Sequence, residues 1–145
     1  MGEKITIIIA MTAVMIMMPY LITIAINGRQ NEDNTNIGNI NTGKDILINI
    51  NGENKLMDVE EYIVGVLPGV ASPDNNNEIL AAQAVAVRTE IYFAMGDDSV
   101  LREDNLNYDY YTKEKYIEKW GKSSYNENYI RYENAVMSTV GKIIE

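Results

Sequence analysis

The sequence contains neither cysteine nor histidine, and each absence removes a class of site. Without cysteine the protein has no disulfide framework and no thiol nucleophile, and without histidine it has no Ser–His–Asp triad. A zinc finger is excluded for the same reason, so a metal site would need oxygen ligands, which suit Ca²⁺ or Mg²⁺. The acidic stretch at residues 97–104 lacks the ligand spacing of such a site. We therefore expect no metal ion and no other cofactor.

Positive charge is also scarce. The chain has 12 Lys and Arg residues against 21 Asp and Glu residues, giving a formal net charge of −9. Proteins that bind nucleic acid need clustered basic side chains to contact the phosphates, so we do not expect a nucleic acid partner. A length of 145 residues is enough for one modest domain.

Residues 5–26 form an uncharged apolar segment. A helix of this length spans about 33 Å, which is enough to cross a hydrocarbon core of about 30 Å. A cleavable signal peptide is the alternative, but its apolar region is usually shorter. We predict that residues 1–26 are an uncleaved transmembrane anchor in the cell membrane. A slight charge bias around the segment favours a single-pass protein whose C-terminal domain is extracytoplasmic.

Residues 27–43 are rich in asparagine and glycine and contain almost nothing to bury, which predicts a flexible linker. The domain proper is then expected at residues 44–145. Alternating isoleucines predict a strand at residues 45–50, followed by a turn at Asn51-Gly52 and a short returning strand at residues 55–57.

Helix signals dominate the rest of the domain. Asp58 is a predicted N-cap with Glu61 reaching back toward it, and Pro68-Gly69 is expected to end that helix. Residues 78–95 read as a central helix that is buried on most sides, because its early turns are apolar nearly all round. Thr112 is the predicted cap of a short helix that ends at Gly121.

A further helix is predicted at residues 125–139. Residues 141–145 begin like a strand and stop, so we expect the domain to be incomplete at its C-terminus. The predicted fold class is α+β: a single transmembrane helix, then a small domain of a short β-hairpin and about four helices around a central buried helix.

Residues 57–89 resemble the core motif of the stage II sporulation protein D family, whose domain is shared with the amidase enhancer LytB. The matching elements are Glu60-Glu61-Tyr62-Ile63, Gly65-Val66-Leu67 and the run from Glu78 to Thr89, which includes Ala-Gln-Ala-Val-Ala-x-Arg-Thr. Weaker likenesses after residue 110 extend the resemblance over essentially all of residues 44–145.

The resemblance implies a role in peptidoglycan remodelling during sporulation. Active members of the family are lytic transglycosylases. They cleave glycan strands that a partner amidase has stripped of peptides during engulfment. One loop glutamate acts first as acid and then as base, and the sugar's own 6-hydroxyl closes an anhydro ring. The expected partners are therefore glycan strands, a cell-wall amidase and the membrane.

The sequence departs from the family at this glutamate. A gapless alignment places Val70 at its position and Ala71-Ser72 in place of the usual Met-Pro. Three hypotheses follow. The leading one is a relative that binds glycan or supports an amidase with weak or no cleavage. The others are an active transglycosylase that uses another carboxylate, for which Asp74 is the candidate, and a non-catalytic, membrane-tethered scaffold.

The family match also singles out Arg88 and Gln83 as candidate substrate-binding residues. Arg88 could hold sugar hydroxyls or the muramic acid carboxylate, or it could form a structural ion pair, for instance with Glu61. Gln83 could brace the Gly-Val loop through core hydrogen bonds or contact a ligand. Trp120 is a candidate for stacking on a sugar, with a core role as the alternative.

Overall fold

The computed structural model describes residues 40–145. The predicted transmembrane anchor and nearly all of the predicted linker lie outside this range. Within residues 40–145, no helix combines the length and the apolar character that a membrane crossing requires.

A three-stranded sheet, ordered β2-β1-β3, opens the domain. β1 (Asp45–Ile50) and β2 (Glu53–Asp58) form the predicted hairpin, with Asp45 opposite Asp58 and Ile50 opposite Glu53. Asn51 and Gly52 have φ values of 53° and 90°, as a two-residue type I′ turn requires. The returning strand is longer than predicted, and the sequence did not predict β3 (Val100–Arg102), which pairs parallel to β1.

The first helix, α1 (Val59–Val70), is the most buried element of the domain. The Asp58 carboxylate caps it by accepting from the Glu60 N–H at 2.8 Å, as predicted. Glu61 does not complete the reciprocal half of the cap, because its carboxylate pairs with Lys55 at 3.0 Å.

The predicted C-terminal end of α1 at Pro68-Gly69 is wrong. The helix runs through Pro68 to Val70, and the Ala71 N–H still donates to the Leu67 carbonyl.

The second helix, α2 (Asn77–Met95), is buried along one face. Asn76 caps it and Gly96 follows its last turn. The predicted burial on most sides is wrong, because only one face packs against the core and Phe93 is 90% exposed. Alanine, which is apolar but small, makes up much of the outward face and gave the sequence its uniformly apolar appearance. The central, buried position belongs instead to α1.

Two further helices complete the domain. Thr112 caps α3 (Lys113–Trp120) as predicted, and α4 (Lys122–Met137) begins three residues earlier than the predicted boundary. Residues 142–145 form no strand. The described part of the chain is therefore a small α+β domain with one three-stranded sheet and four helices, which confirms the predicted fold class for this part.

Candidate functional site

The C-terminal end of α1 places Val70 between two open grooves. The chain is buried from residue 62 to residue 68, and it then emerges, so that Val70 is 41% exposed. The first groove, of about 420 Å³, lies between this helix end and the loop at residues 106–111. The second, of about 340 Å³, is bounded by residues 68–73, Lys119 and Trp120. An aliphatic side chain thus stands where the two grooves meet.

The loop that faces Val70 is held in place through Gly65. The Tyr111 N–H donates to the Gly65 carbonyl at 2.8 Å. The Tyr110 ring lies directly over Gly65, and a Cβ at that glycine would come within 2.1 Å of a ring carbon. Tyr110 also stacks on Tyr62 with ring centroids 5.7 Å apart. A glycine inside α1 therefore sets the distance between the helix and the opposite wall of the first groove.

The segment that follows Val70 is fixed by α4. The Tyr132 hydroxyl donates to the Ala71 carbonyl at 2.6 Å. Arg131 donates to the Asn75 carbonyl at 2.6 Å and to the carbonyl of Pro73. These bonds come from α4, which lies between 56 and 61 residues further along the chain, and they hold the loop at residues 71–75 in one position.

Trp120 and Lys119 form the outer wall of the second groove. The Lys119 ammonium lies 4.3 Å from the centroid of the Trp120 ring and donates to the Tyr111 hydroxyl at 3.0 Å and the Pro68 carbonyl at 3.4 Å. The Lys115 ammonium lies 4.5 Å from the centroid of the Tyr111 ring, which lines the first groove. Trp120 is half-buried and packs on Tyr116, so it has both the core role and the groove-facing position that the sequence left as alternatives.

Asp109, which sequence reasoning did not single out, lines the first groove together with Val70. Its side chain is exposed and lies 3.8 Å from the Lys115 ammonium. Asp74, the carboxylate proposed from the sequence, is exposed on the loop after α1 and lines neither groove. Only the packing of the loop at residues 106–111 on Gly65 brings Asp109 close to α1, so local sequence patterns gave no signal for it.

Arg88 forms a buried ion pair, but with Glu60 rather than with Glu61 as the sequence suggested. Its Nε and Nη2 atoms donate to the two Glu60 carboxylate oxygens at 2.8 and 2.6 Å, and both side chains are fully buried. The guanidinium also donates to the Lys142 carbonyl at 3.1 Å. This bidentate pair joins α1 and α2 to the C-terminal segment. A bound sugar would reach Arg88 only if that segment moved, so glycan binding by Arg88 stays a prediction.

Gln83 lies half-buried on α2. Among residues 40–145 its side chain has no hydrogen bond, so the proposed bracing of the Gly-Val loop through core hydrogen bonds is not formed. The groove-lining residues do not include it, and its role as a ligand contact stays a prediction.

Comparison with known proteins gives two similarities. A sequence profile described as stage II sporulation protein matches residues 51–145 of this chain. The stage II sporulation protein D of Bacillus amyloliquefaciens is 34% identical over a region that covers 59% of this chain. The same region is only 27% of the length of that relative.

Proposed function

Because the chain belongs to the stage II sporulation protein D family, we propose that its described domain binds peptidoglycan glycan strands during cell-wall remodelling in sporulation. Binding would take place in the two grooves that meet at Val70, with weak or no cleavage of the strand. The single observation that carries this proposal is the position of Val70. Valine has no proton to donate to a glycosidic oxygen, although it borders both grooves.

The walls of the second groove support the binding half of the proposal. Sugar rings pack well against aromatic faces, and their hydroxyls need hydrogen-bond donors and acceptors nearby. Trp120 supplies an aromatic side chain, and Lys119 supplies a cationic donor next to it. The chain has a formal net charge of −9. The positive charge of Lys119 therefore gives the groove a local attraction for the carboxylates of muramic acid residues.

Co-sedimentation of the full chain, kept in mild detergent, with insoluble denuded glycan strands tests this function. We expect the wild type to sediment with the strands and Lys119→Ala to bind at least about threefold more weakly, the effect of losing one charge-assisted contact. Lys122→Ala is the matched control, because Lys122 is exposed and lines neither groove. Equal weakening by both variants would point to non-specific charge attraction, and no sedimentation of the wild type would favour the scaffold hypothesis.

An active transglycosylase is the second candidate function, and the position of Asp109 is the observation that favours it. Asp109 borders the same groove as Val70 and could act as the acid in place of the family's glutamate. Release of anhydro-muramic ends from denuded strands by the wild type would support this candidate. Loss of that release in Asp109→Asn, but not in Asp74→Asn, would assign the acid to Asp109, and the opposite pattern would assign it to Asp74.

We further propose that residues 5–26 anchor the protein in the cell membrane, with the domain outside the cytoplasm and within reach of a partner amidase. The charge-free length of this segment supports the anchor. Fractionation of cells followed by protease treatment of intact protoplasts tests both points. An anchored, extracytoplasmic domain is found in the membrane fraction and is degraded by the external protease.

A further inference from the structure

A small pocket beside the two grooves is lined mainly by tyrosine rings. It has a volume of about 110 Å³. Five tyrosines contribute to its wall, namely Tyr110, Tyr111, Tyr116, Tyr125 and Tyr129. The lining also includes Glu61 and Lys113, and Lys113 is exposed, so the pocket opens to the solvent. We call it the tyrosine pocket.

A positive charge already lies at the open side of the tyrosine pocket. The Lys113 ammonium is 5.3 Å from the centroid of the Tyr125 ring. This distance is within the range of about 6 Å over which the face of an aromatic ring attracts a cation. Because Lys113 is an exposed side chain, its rotamers exchange quickly and its ammonium can move from the ring into water. A cation from a second molecule then has access to the same ring.

The charges around the tyrosine pocket also favour a positively charged ligand. Within residues 40–145, Glu61 is the one carboxylate in its lining, and its Oε1 atom accepts from Lys55 at 3.0 Å. Burial is the main cause that raises the pKa of Tyr110 to about 12, and the negative charge of Glu61 adds to it. The Tyr110 ring therefore stays neutral near pH 7. The formal net charge of −9 adds a long-range attraction for cations.

The size of the tyrosine pocket suits an ammonium group together with the carbon atoms next to it. Its volume is that of roughly three to four water molecules in the liquid. The tyrosine faces attract such a group by cation–π interaction, and Glu61 supplies a counter-charge. An anion would instead meet the negative faces of the rings and the Glu61 carboxylate.

We propose that the tyrosine pocket binds an ammonium group of a second molecule, and that Lys113 is the internal competitor that this group displaces. A free amino group on an amino sugar and one on a peptide side chain share this chemistry. The charge in the pocket stays the same when one ammonium replaces the other. The inference goes beyond the proposed function, because neither Glu61 nor Lys113 lines either of the two grooves.

Binding of two amines and their acetylated forms to the full chain in mild detergent tests the proposal. The sugar pair is the β-1,4-linked trimer of glucosamine and that of N-acetylglucosamine. The peptide pair is Nα-acetyl-lysine amide and its Nε-acetylated form. At about pH 6 both free amines are protonated, and acetylation removes their charge. We expect the wild type to bind at least one free amine at least about fivefold more tightly than its acetylated form, and that pair identifies the carrier. Equal binding within both pairs would overturn the proposal.

Two pairs of variants separate the pocket from the general attraction of an acidic chain. Glu61→Gln should bind the preferred amine about fivefold more weakly. Glu118→Gln should leave its affinity unchanged, because Glu118 is exposed and lines neither this pocket nor the grooves. Lys113→Ala should bind the amine about threefold more tightly, because the competitor is gone. Lys122→Ala, at an exposed lysine outside the pocket, should bind it like the wild type.

Equal effects within either pair of variants would also overturn the proposal, since the amine would then respond to the net charge of the chain and not to the tyrosine pocket. Co-sedimentation with denuded glycan strands tests the proposed function separately. Strands that still sediment with the wild type leave the proposed function standing when the amines fail to bind.

Discussion

At the scale of single residues, the pair formed by Glu60 and Arg88 is the main polar feature of the core. Two adjacent glutamates on α1 have opposite roles: the Glu60 side chain is fully buried against Arg88, whereas Glu61 forms a partly exposed pair with Lys55. Removing one partner of a buried ion pair leaves an uncompensated charge, and removing a partner of a surface pair has little effect. The two positions therefore offer a matched comparison.

We predict that Glu60→Gln lowers the free energy of unfolding by about 3 kcal/mol, because Arg88 then stays buried without a counter-charge. Glu61→Gln should lower it by less than about 0.5 kcal/mol. Urea unfolding followed by circular dichroism measures both. Similar losses in the two variants would mean that the buried pair does not hold α1 and α2 together.

Which of the two glutamates turns inward could not be predicted from the sequence. The sequence left glycan binding and an ion pair, for instance with Glu61, as alternatives for Arg88, because a buried guanidinium needs a partner in either case. However, α1 is apolar on almost every side after Glu61, so its periodicity does not say which face points toward α2. The partner is set by the rotation of the helix, which depends on packing across the whole domain.

At the scale of elements, α1 and the loop at residues 106–111 form the two walls of the first groove. Their spacing depends on Gly65, over which the Tyr110 ring lies. Gly69, one helical turn later, has more space, since a Cβ there would come no closer than 3.2 Å to the Tyr111 ring. A methyl group should therefore have different effects at the two glycines.

We predict that Gly65→Ala lowers the free energy of unfolding by at least about 2 kcal/mol, because the new methyl group must displace the Tyr110 ring. Gly69→Ala should change it by less than about 1 kcal/mol, because the gain in helix propensity offsets a slight steric conflict. Thermal unfolding of the two variants measures this difference. An equally mild effect at Gly65 would show that the loop at residues 106–111 moves freely.

Elements with strong local signals were predicted well, and those set by distant contacts were not. The hairpin depends on the Asn51-Gly52 turn, and α3 begins at its Thr112 cap, so both signals lie within a few residues. By contrast, β3 has only three residues and is stabilised by pairing with a strand 55 residues earlier. The approach of Asp109 to α1 has the same origin, which is why the sequence offered Asp74 as the alternative acid instead.

At the scale of the whole molecule, the tyrosines limit the stability of the domain at alkaline pH. Burial raises the pKa of seven tyrosines above the ordinary value of 10.0, namely Tyr62, Tyr92, Tyr108, Tyr110, Tyr116, Tyr129 and Tyr132. Their phenols keep their protons in the folded state when those of the unfolded chain begin to ionise. The folded state thus binds more protons above pH 10, and its stability falls as the pH rises.

We predict that the tyrosines do not change the free energy of unfolding below about pH 10, and that the domain unfolds cooperatively above this pH. The tyrosinate absorbance near 295 nm should rise together with the loss of helical circular dichroism, because most phenols ionise only on unfolding. Full ionisation of the tyrosines while the helical signal stays intact would contradict this account of their burial.

A gain of cleavage tests most directly whether Val70 occupies the acid position of a groove that binds glycan, as we propose. Denuded glycan strands are incubated with the wild type, Val70→Glu and Val70→Gln, and anhydro-muramic ends are counted. Val70 is exposed, so both substitutions should fold, and the carbonyl end of α1 favours the protonated form of an introduced carboxyl by raising its pKa. We predict release by Val70→Glu alone. Release by the wild type would contradict the assignment of Val70 to the acid position.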